Sequence, residues 1–169
     1  MDSYTRLNYS LIQRILHWLT VVLVFFNLLL PGSIERVTDL LGDGKVPSLP
    51  EWTSATLHIT SGITILVFTL LRLVLRFVQG VPNAPAGEPA SFQALSKIAH
   101  GLFYLVLLAM PLSGLAKFYL GVGAAGFIHG GPLKLVLWIL IAAHIAAALV
   151  HQFYWRTNLL ARMTSGKVT

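Results

Sequence analysis

A run of about 20 apolar residues is enough to cross the ~30 Å hydrocarbon core of a bilayer. The stretch Leu133 to Trp155, LKLVLWILIAAHIAAALVHQFYW, is such a run, and it carries His144 near its middle and His151 one heptad later. At about 3.6 residues per turn, seven residues make nearly two whole turns, so both imidazoles lie on one face. Ionisable groups inside a membrane span are costly and usually face the bundle interior or a ligand. Ala142, Ala143, Ala146, Ala147 and Ala148 flank His144 and leave room for something bulky beside it. The alternative is an imidazole hydrogen-bonded to a neighbouring helix, since polar side chains also join helices within membranes. The other spans must decide.

Composition agrees with a membrane chain. Of 169 residues, 56 % are hydrophobic and 11 % charged, with mean hydropathy +0.75. This is one compact helical membrane unit, residues 1–169, with little outside the bilayer. Cysteine is absent, which excludes disulfides, iron–sulfur ligation and the C-x-x-C-H attachment of c-type haem.

Four spans are expected, at about 11–30, 51–77, 92–120 and 133–155. Ser10 and Gln13 form a capping-box pattern ahead of the first, which Pro31-Gly32 ends. With no convincing small-x-small cleavage site, and with His17-Trp18 inside the run, it reads as a retained span and not a signal peptide. Residues 31–50 read as a polar connection with turn signals at Gly42, Gly44, Pro47 and Pro50. The second span carries His58, with Gly62 one turn later where a flat ligand could approach, and closes on Arg72 and Arg76. Snorkelling to headgroups would also explain those arginines. After a short Pro/Gly linker, the third span carries Lys97, His100 and a central Pro111 that should kink it. The glycine-rich stretch Gly121 to Gly131, containing His129, reads as the connection to the fourth span.

The net charge of +6 is a topology signal. Arg6, Arg14, Arg72, Arg76, Lys97, Arg156, Arg162 and Lys167 fall on one side of a four-span chain, against only Asp2 and Glu88. On the other side Arg36, Lys45, Lys117 and Lys134 balance Glu35, Asp39, Asp43 and Glu51. By the positive-inside rule both termini are cytoplasmic, and no nucleic-acid partner is implied.

This orientation sorts the histidines by depth. His17, His100 and His144 or His151 lie toward the cytoplasmic half, and His58 and His129 toward the opposite surface. Two layers, each drawing histidines from different helices, suit two haems stacked across the membrane, with imidazoles filling both axial positions. Zinc would want a compact cluster at local spacing. A haem-free helical transporter or proton relay is the competing reading.

The order and spacing of several stretches resemble the prokaryotic cytochrome b561 family, and within it the superoxide oxidase type. They are Gln13-Arg-Ile-Leu-His17-Trp18, Leu57-His58-Ile-Thr-Ser-Gly62 and Leu71-Arg72-Leu-Val-Leu-Arg76. Further along come His100-Gly-Leu-Phe-Tyr104, Met110-Pro111-Leu-Ser-Gly114, Ala143-His144 through His151, and the tail from Tyr154 to Met163. The resemblance covers nearly the whole chain. It implies an all-α, integral four-helix bundle in the bacterial inner membrane, with two non-covalent haems b. His17 and His144 would ligate the inner haem iron, and His58 with a histidine early in the fourth span the outer one. The family pattern places that last ligand fourteen residues before the His144 position, which here is Gly130. His129 stands one residue further off, and is assigned on the expectation that an irregular first turn corrects the register.

The resemblance also implies an activity: electrons pass from periplasmic superoxide, or another one-electron donor, to ubiquinone in the lipid. Arg72, Arg76, His100 and His151 are the residues that could contact a haem propionate or a quinone. Lys117, Lys134, Arg36 and Lys45 could draw an anionic reductant to the outer mouth. The alternative in another class is a cytochrome b relay subunit of a larger dehydrogenase or hydrogenase complex, whose protein partner the sequence leaves unknown.

Overall fold

The structure, a computed structural model, describes residues 8–29, 33–85 and 87–166. Among them every regular element is helical. Arg6, Asp2 and Lys167 of the charge count, and the Pro31-Gly32 stop, lie outside the described residues. Helix α1 runs Leu11–Leu29, α2 Ser33–Gly42, α3 Leu49–Gln79, α4 Ala90–Leu120, α5 Gly123–Tyr154 and α6 Leu159–Met163. Four of them, α1, α3, α4 and α5, are long and apolar enough to cross a membrane. This is an all-α membrane bundle.

The helix starts follow local chemistry. The backbone N–H of Ser10 donates to Gln13 Oε1 at 3.0 Å, and that of Gln13 to Ser10 Oγ at 3.3 Å, closing the expected capping box. Ser48 and Glu51 form a second box at the start of α3, two residues earlier than apolarity alone indicated. Gly80 ends α3 at φ 71°, and Gly121 ends α4 in the left-handed conformation that favours glycine.

Two connections differ in kind from the sequence reading. Residues 31–50 are not merely a polar connection, because Ser33–Gly42 is a helix packed on α3. Its polar face carries Glu35, Arg36 and Asp39, while Val37 is 0 % exposed and Arg36 pairs with Glu51. The glycine-rich stretch is not a loop either: α5 begins at Gly123, ten residues before the expected start. Glycine is common in membrane helices, where leaving backbone groups unpaired costs more than glycine's entropy. His129–Leu133 is a π turn, as is Val150–Tyr154. Pro132 lies inside the first of these, where the missing N–H is tolerated.

Helix α3 packs against α1, α2 and α4, and α4 packs against α5. Rings bridge α1 to α5, with Phe25 and Trp138 centred 6.3 Å apart. Midway along the bundle Val24, Ile65, Val106, Leu107, Leu137 and Leu140 form a buried aliphatic belt to which all four spans contribute. Two buried hydroxyls flank it, and each bonds back to its own helix: Thr20 to Leu16 O and Thr69 to Ile65 O. One end of the bundle is closed by α6. Arg14 donates to Thr164 O at 2.6 Å, Trp18 Nε1 to Met163 O at 2.9 Å and Arg162 to Asn83 O at 2.7 Å.

Candidate functional site

The belt separates two groups of imidazoles. On the α6 side, His17 of α1 and His144 of α5 have ring centres 6.3 Å apart at 55°. His100 of α4 is centred 5.8 Å from His144, and Phe103 5.4 Å from it. Arg72 of α3 approaches Nδ1 of His17 at 3.1 Å. Arg72 and Arg76, one turn apart, lie 6.0 and 5.9 Å from the Tyr104 ring centre. Tyr9, just ahead of α1, belongs to the same group: burial pushes its phenol up, against the opposing charge of Arg76. His100 Nδ1 donates to Ser96 O at 2.6 Å, which leaves Nε2 with its lone pair.

On the far side of the belt, His58 of α3 and His129 of α5 have ring centres 6.1 Å apart at 67°. The Nδ1–H of His129 donates to Met110 O of α4 at 2.8 Å, with Ser113 Oγ 3.3 Å away. Asn27 of α1 accepts from Ser61 Oγ and approaches His58 O at 3.4 Å, so α1 is tied to α3 at this level. His58, Gly62 and Asn27 share a layer, since a methyl group on Gly62 would lie 3.8 Å from Asn27 Nδ2.

His151 belongs to neither pair. It is 7 % exposed, with Nε2 3.5 Å from Glu88 and Nδ1 3.0 Å from Thr157 Oγ1. Trp155 packs on it edge to face at 4.7 Å. Both its nitrogens are thus engaged by protein, in a contact between the α3–α4 linker and the end of α5. Four cations toward the His58 end of the bundle, Arg36, Lys45, Lys117 and Lys134, divide by whether protein engages them. Arg36 pairs with Glu51 and Lys45 with Asp43, whereas Lys117 and Lys134 have no carboxylate partner among the described residues.

Sequence reasoning missed Asn27, Ser61, Met110, Ser113 and Glu88 as neighbours of the histidines, and Tyr104 and Tyr9 as neighbours of Arg72 and Arg76. Helical spacing carried a signal for Ser61, three residues after His58 on α3, and for Tyr104, four residues after His100 on α4. The Met110 contact is a backbone carbonyl, which no residue type announces.

Two imidazoles binding one iron from opposite sides, with metal–nitrogen bonds of about 2 Å, have ring centres about 6 Å apart. Both pairs meet that separation. Imidazole ligands commonly donate the other ring N–H to a backbone carbonyl, as His129 does to Met110. Among the described residues no group of three or more His, Asp or Glu is arranged to hold a bare metal ion. The donor set therefore fits haem.

An apolar helical bundle with imidazole pairs contributed by different spans defines the class of b-type membrane electron carriers. Over residues 8–166 the chain matches the family described as prokaryotic cytochrome b561, and it belongs to that family. It is 31 % identical over 156 residues to "Cytochrome b562" of Cereibacter sphaeroides, covering 92 % of this chain and 94 % of that one. It is 25 % identical over 176 residues to "Cytochrome b561 homolog 1" of Escherichia coli, with 92 % and 96 % covered. A third relative, "Probable superoxide oxidase CybB" of Yersinia pestis, is 27 % identical over 180 residues, with 95 % and 97 % covered. Membership makes this chain a multi-pass electron-transfer protein of the bacterial inner membrane that binds haem b.

Proposed function

We propose that this chain is a superoxide:ubiquinone oxidoreductase holding two haems b. His17 and His144 would ligate the inner haem, and His58 and His129 the outer one. The observation that carries the reading is the pair of imidazole couples, 6.3 and 6.1 Å between ring centres, on opposite sides of an aliphatic belt. The relative named as a probable superoxide oxidase supports the choice of donor.

When bound, the haems would supply one-electron oxidation and reduction. The protein's own residues do the rest. With both termini cytoplasmic, Lys117 and Lys134 stand on the periplasmic half, where uncompensated cations draw in an anionic donor. Arg72 and Arg76 offer guanidinium groups for the propionates of the inner haem. A mainly apolar cleft lined by Leu11, Ile15, Trp18, Leu19 and Met163, with Arg14 and Thr164 at its polar edge, opens beside α6, one residue from His17, and suits a quinone. The overall chemistry balances: two superoxide anions lose one electron each and leave as dioxygen, and one ubiquinone gains both electrons with two protons.

The test is purified chain in nanodiscs containing ubiquinone, supplied with superoxide. Quinol formation without any partner protein is the expected result. A preparation with two low-spin haems but no superoxide-dependent quinol would replace this reading with that of a relay subunit. One without a b-type spectrum would contradict both.

A further inference from the structure

The end of α4 and the start of α5 form an antiparallel hairpin around Gly121, and two glycines leave holes in it. A methyl group on Gly114 of α4 would lie 3.0 Å from Cε1 and 3.2 Å from Nδ1 of His129. One on Gly126 of α5 would lie 2.8 Å from Cδ and 3.0 Å from Cγ of Lys117. The arrangement is reciprocal. His129 fills the hole at Gly114, and three residues along each helix Lys117 fills the hole at Gly126. The Lys117 stem is flexible and could move aside, but the His129 ring is held from a second direction by Nδ1–H donation to Met110 O at 2.8 Å. The ring therefore has little freedom to retreat from a methyl group at position 114.

The π turn at His129–Leu133 explains how His129 reaches this place. In a regular helix, fifteen residues would rotate His129 about 60° from the face of His144. A π turn holds one residue more than an α turn, so everything before it is rotated back by about 100°. Fifteen residues through the π turn thus stand where fourteen residues of regular helix would.

We propose that Gly114, together with the Met110 carbonyl, is the positioning site that makes His129 an axial ligand, and that the π turn exists to absorb the extra residue. This rests on the reading that His58 and His129 hold the outer haem. Gly114 admits the ring edge-on, the carbonyl fixes the tautomer that leaves the Nε2 lone pair for iron, and the π turn brings the ring to the His58 layer.

Four variants test it, read by haem-to-protein ratio and by the low-spin electron paramagnetic resonance signals of each haem. His129→Ala should lose the outer haem. Gly114→Ala should lower outer haem content at least about twofold or displace its low-spin signal, because a crowded ring must turn, with the inner signal unmoved. Gly130→Ala, where a methyl group meets nothing within 4 Å, should change neither signal. Deleting Gly131 removes the extra residue and should keep both haems, the π turn reverting to α-helix. If His129→Ala kept both haems, the outer-ligand reading itself would fail. If it lost one while Gly114→Ala kept both with unchanged signals, only the positioning role would fall. Loss of the outer haem on deleting Gly131 would overturn the register argument. If Gly114→Ala does not accumulate, Gly114→Ala with His129→Ala, where the crowded ring is gone, should accumulate, and its failure to do so would overturn the positioning role.

Discussion

Arg72 on α3 holds a guanidinium nitrogen 3.1 Å from Nδ1 of His17 on α1. A guanidinium only donates, so Nδ1 accepts and the imidazole proton sits on Nε2. Ligation through Nε2 requires the opposite tautomer. On the proposed ligation Arg72 would have to leave His17, and the Tyr104 ring, centred 6.0 Å away, already lies beside its guanidinium. Arg72→Gln should keep the inner haem but lower its midpoint potential by on the order of tens of millivolts, since removing a nearby positive charge favours the ferric state. Redox titration of the variant measures this, and an unchanged potential would place Arg72 away from the haem.

If His17 and His144 ligate one haem as proposed, replacing either should remove the same pigment. His17→Ala and His144→Ala are each expected to lose the inner haem while the outer one persists, bringing the ratio from about two haems per chain to about one. Pigment extraction and difference spectra give the answer. Retention of a low-spin inner haem in His17→Ala, but not in His17→Ala with His100→Ala, would transfer the ligand role to His100, whose ring is 5.8 Å from His144.

On the proposed function, Lys117 and Lys134, which have no carboxylate partner among the described residues, should bear on rate and not on haem content. Lys117→Gln and Lys134→Gln should each slow superoxide-driven quinol formation about two- to threefold at low salt, and should flatten the dependence of rate on ionic strength. Stopped-flow measurements at two salt concentrations test this. Equal salt slopes in wild type and variants would remove these residues from donor capture.

The contact of His151 with Glu88 predicts a structural phenotype. His151→Ala leaves a buried carboxylate without its partner and should cost about 1–3 kcal/mol of stability, with two haems still bound. Thermal denaturation followed at the haem absorbance band reads both quantities. A variant as stable as wild type would show that the linker does not depend on this contact.

The four spans were legible because apolar length is a strong signal, and the histidine layers because helix direction and depth follow from it. The first ten residues of α5 were not. Glycine and proline mark breaks in soluble chains, whereas the bilayer penalises unpaired backbone so heavily that Gly123 to Pro132 stays helical. The short amphipathic α2 was hidden by its charges, with Val37 its deeply buried side chain among the described residues. His151 looked like a ligand-facing residue because the sequence could not show that Glu88, from a linker more than sixty positions away, folds against it. The misfit of His129 could be seen in the spacing. Its remedy, a π turn and a backbone carbonyl, has no residue signature.

The aliphatic belt has an energetic consequence. Val24, Ile65, Leu107 and Leu137 offer no titratable group, and the neighbouring hydroxyls of Thr20 and Thr69 are spent on their own helices. Such a layer insulates against proton movement. A charge crossing it from the periplasmic to the cytoplasmic side travels without a compensating proton, and if that charge is an electron it moves against a membrane potential that is negative inside. The work approaches about 2.3 kcal/mol per electron for each 100 mV across the full membrane. On the proposed route, quinol formation would therefore slow as the membrane becomes energised, and the belt would act as a brake set by the voltage of the cell.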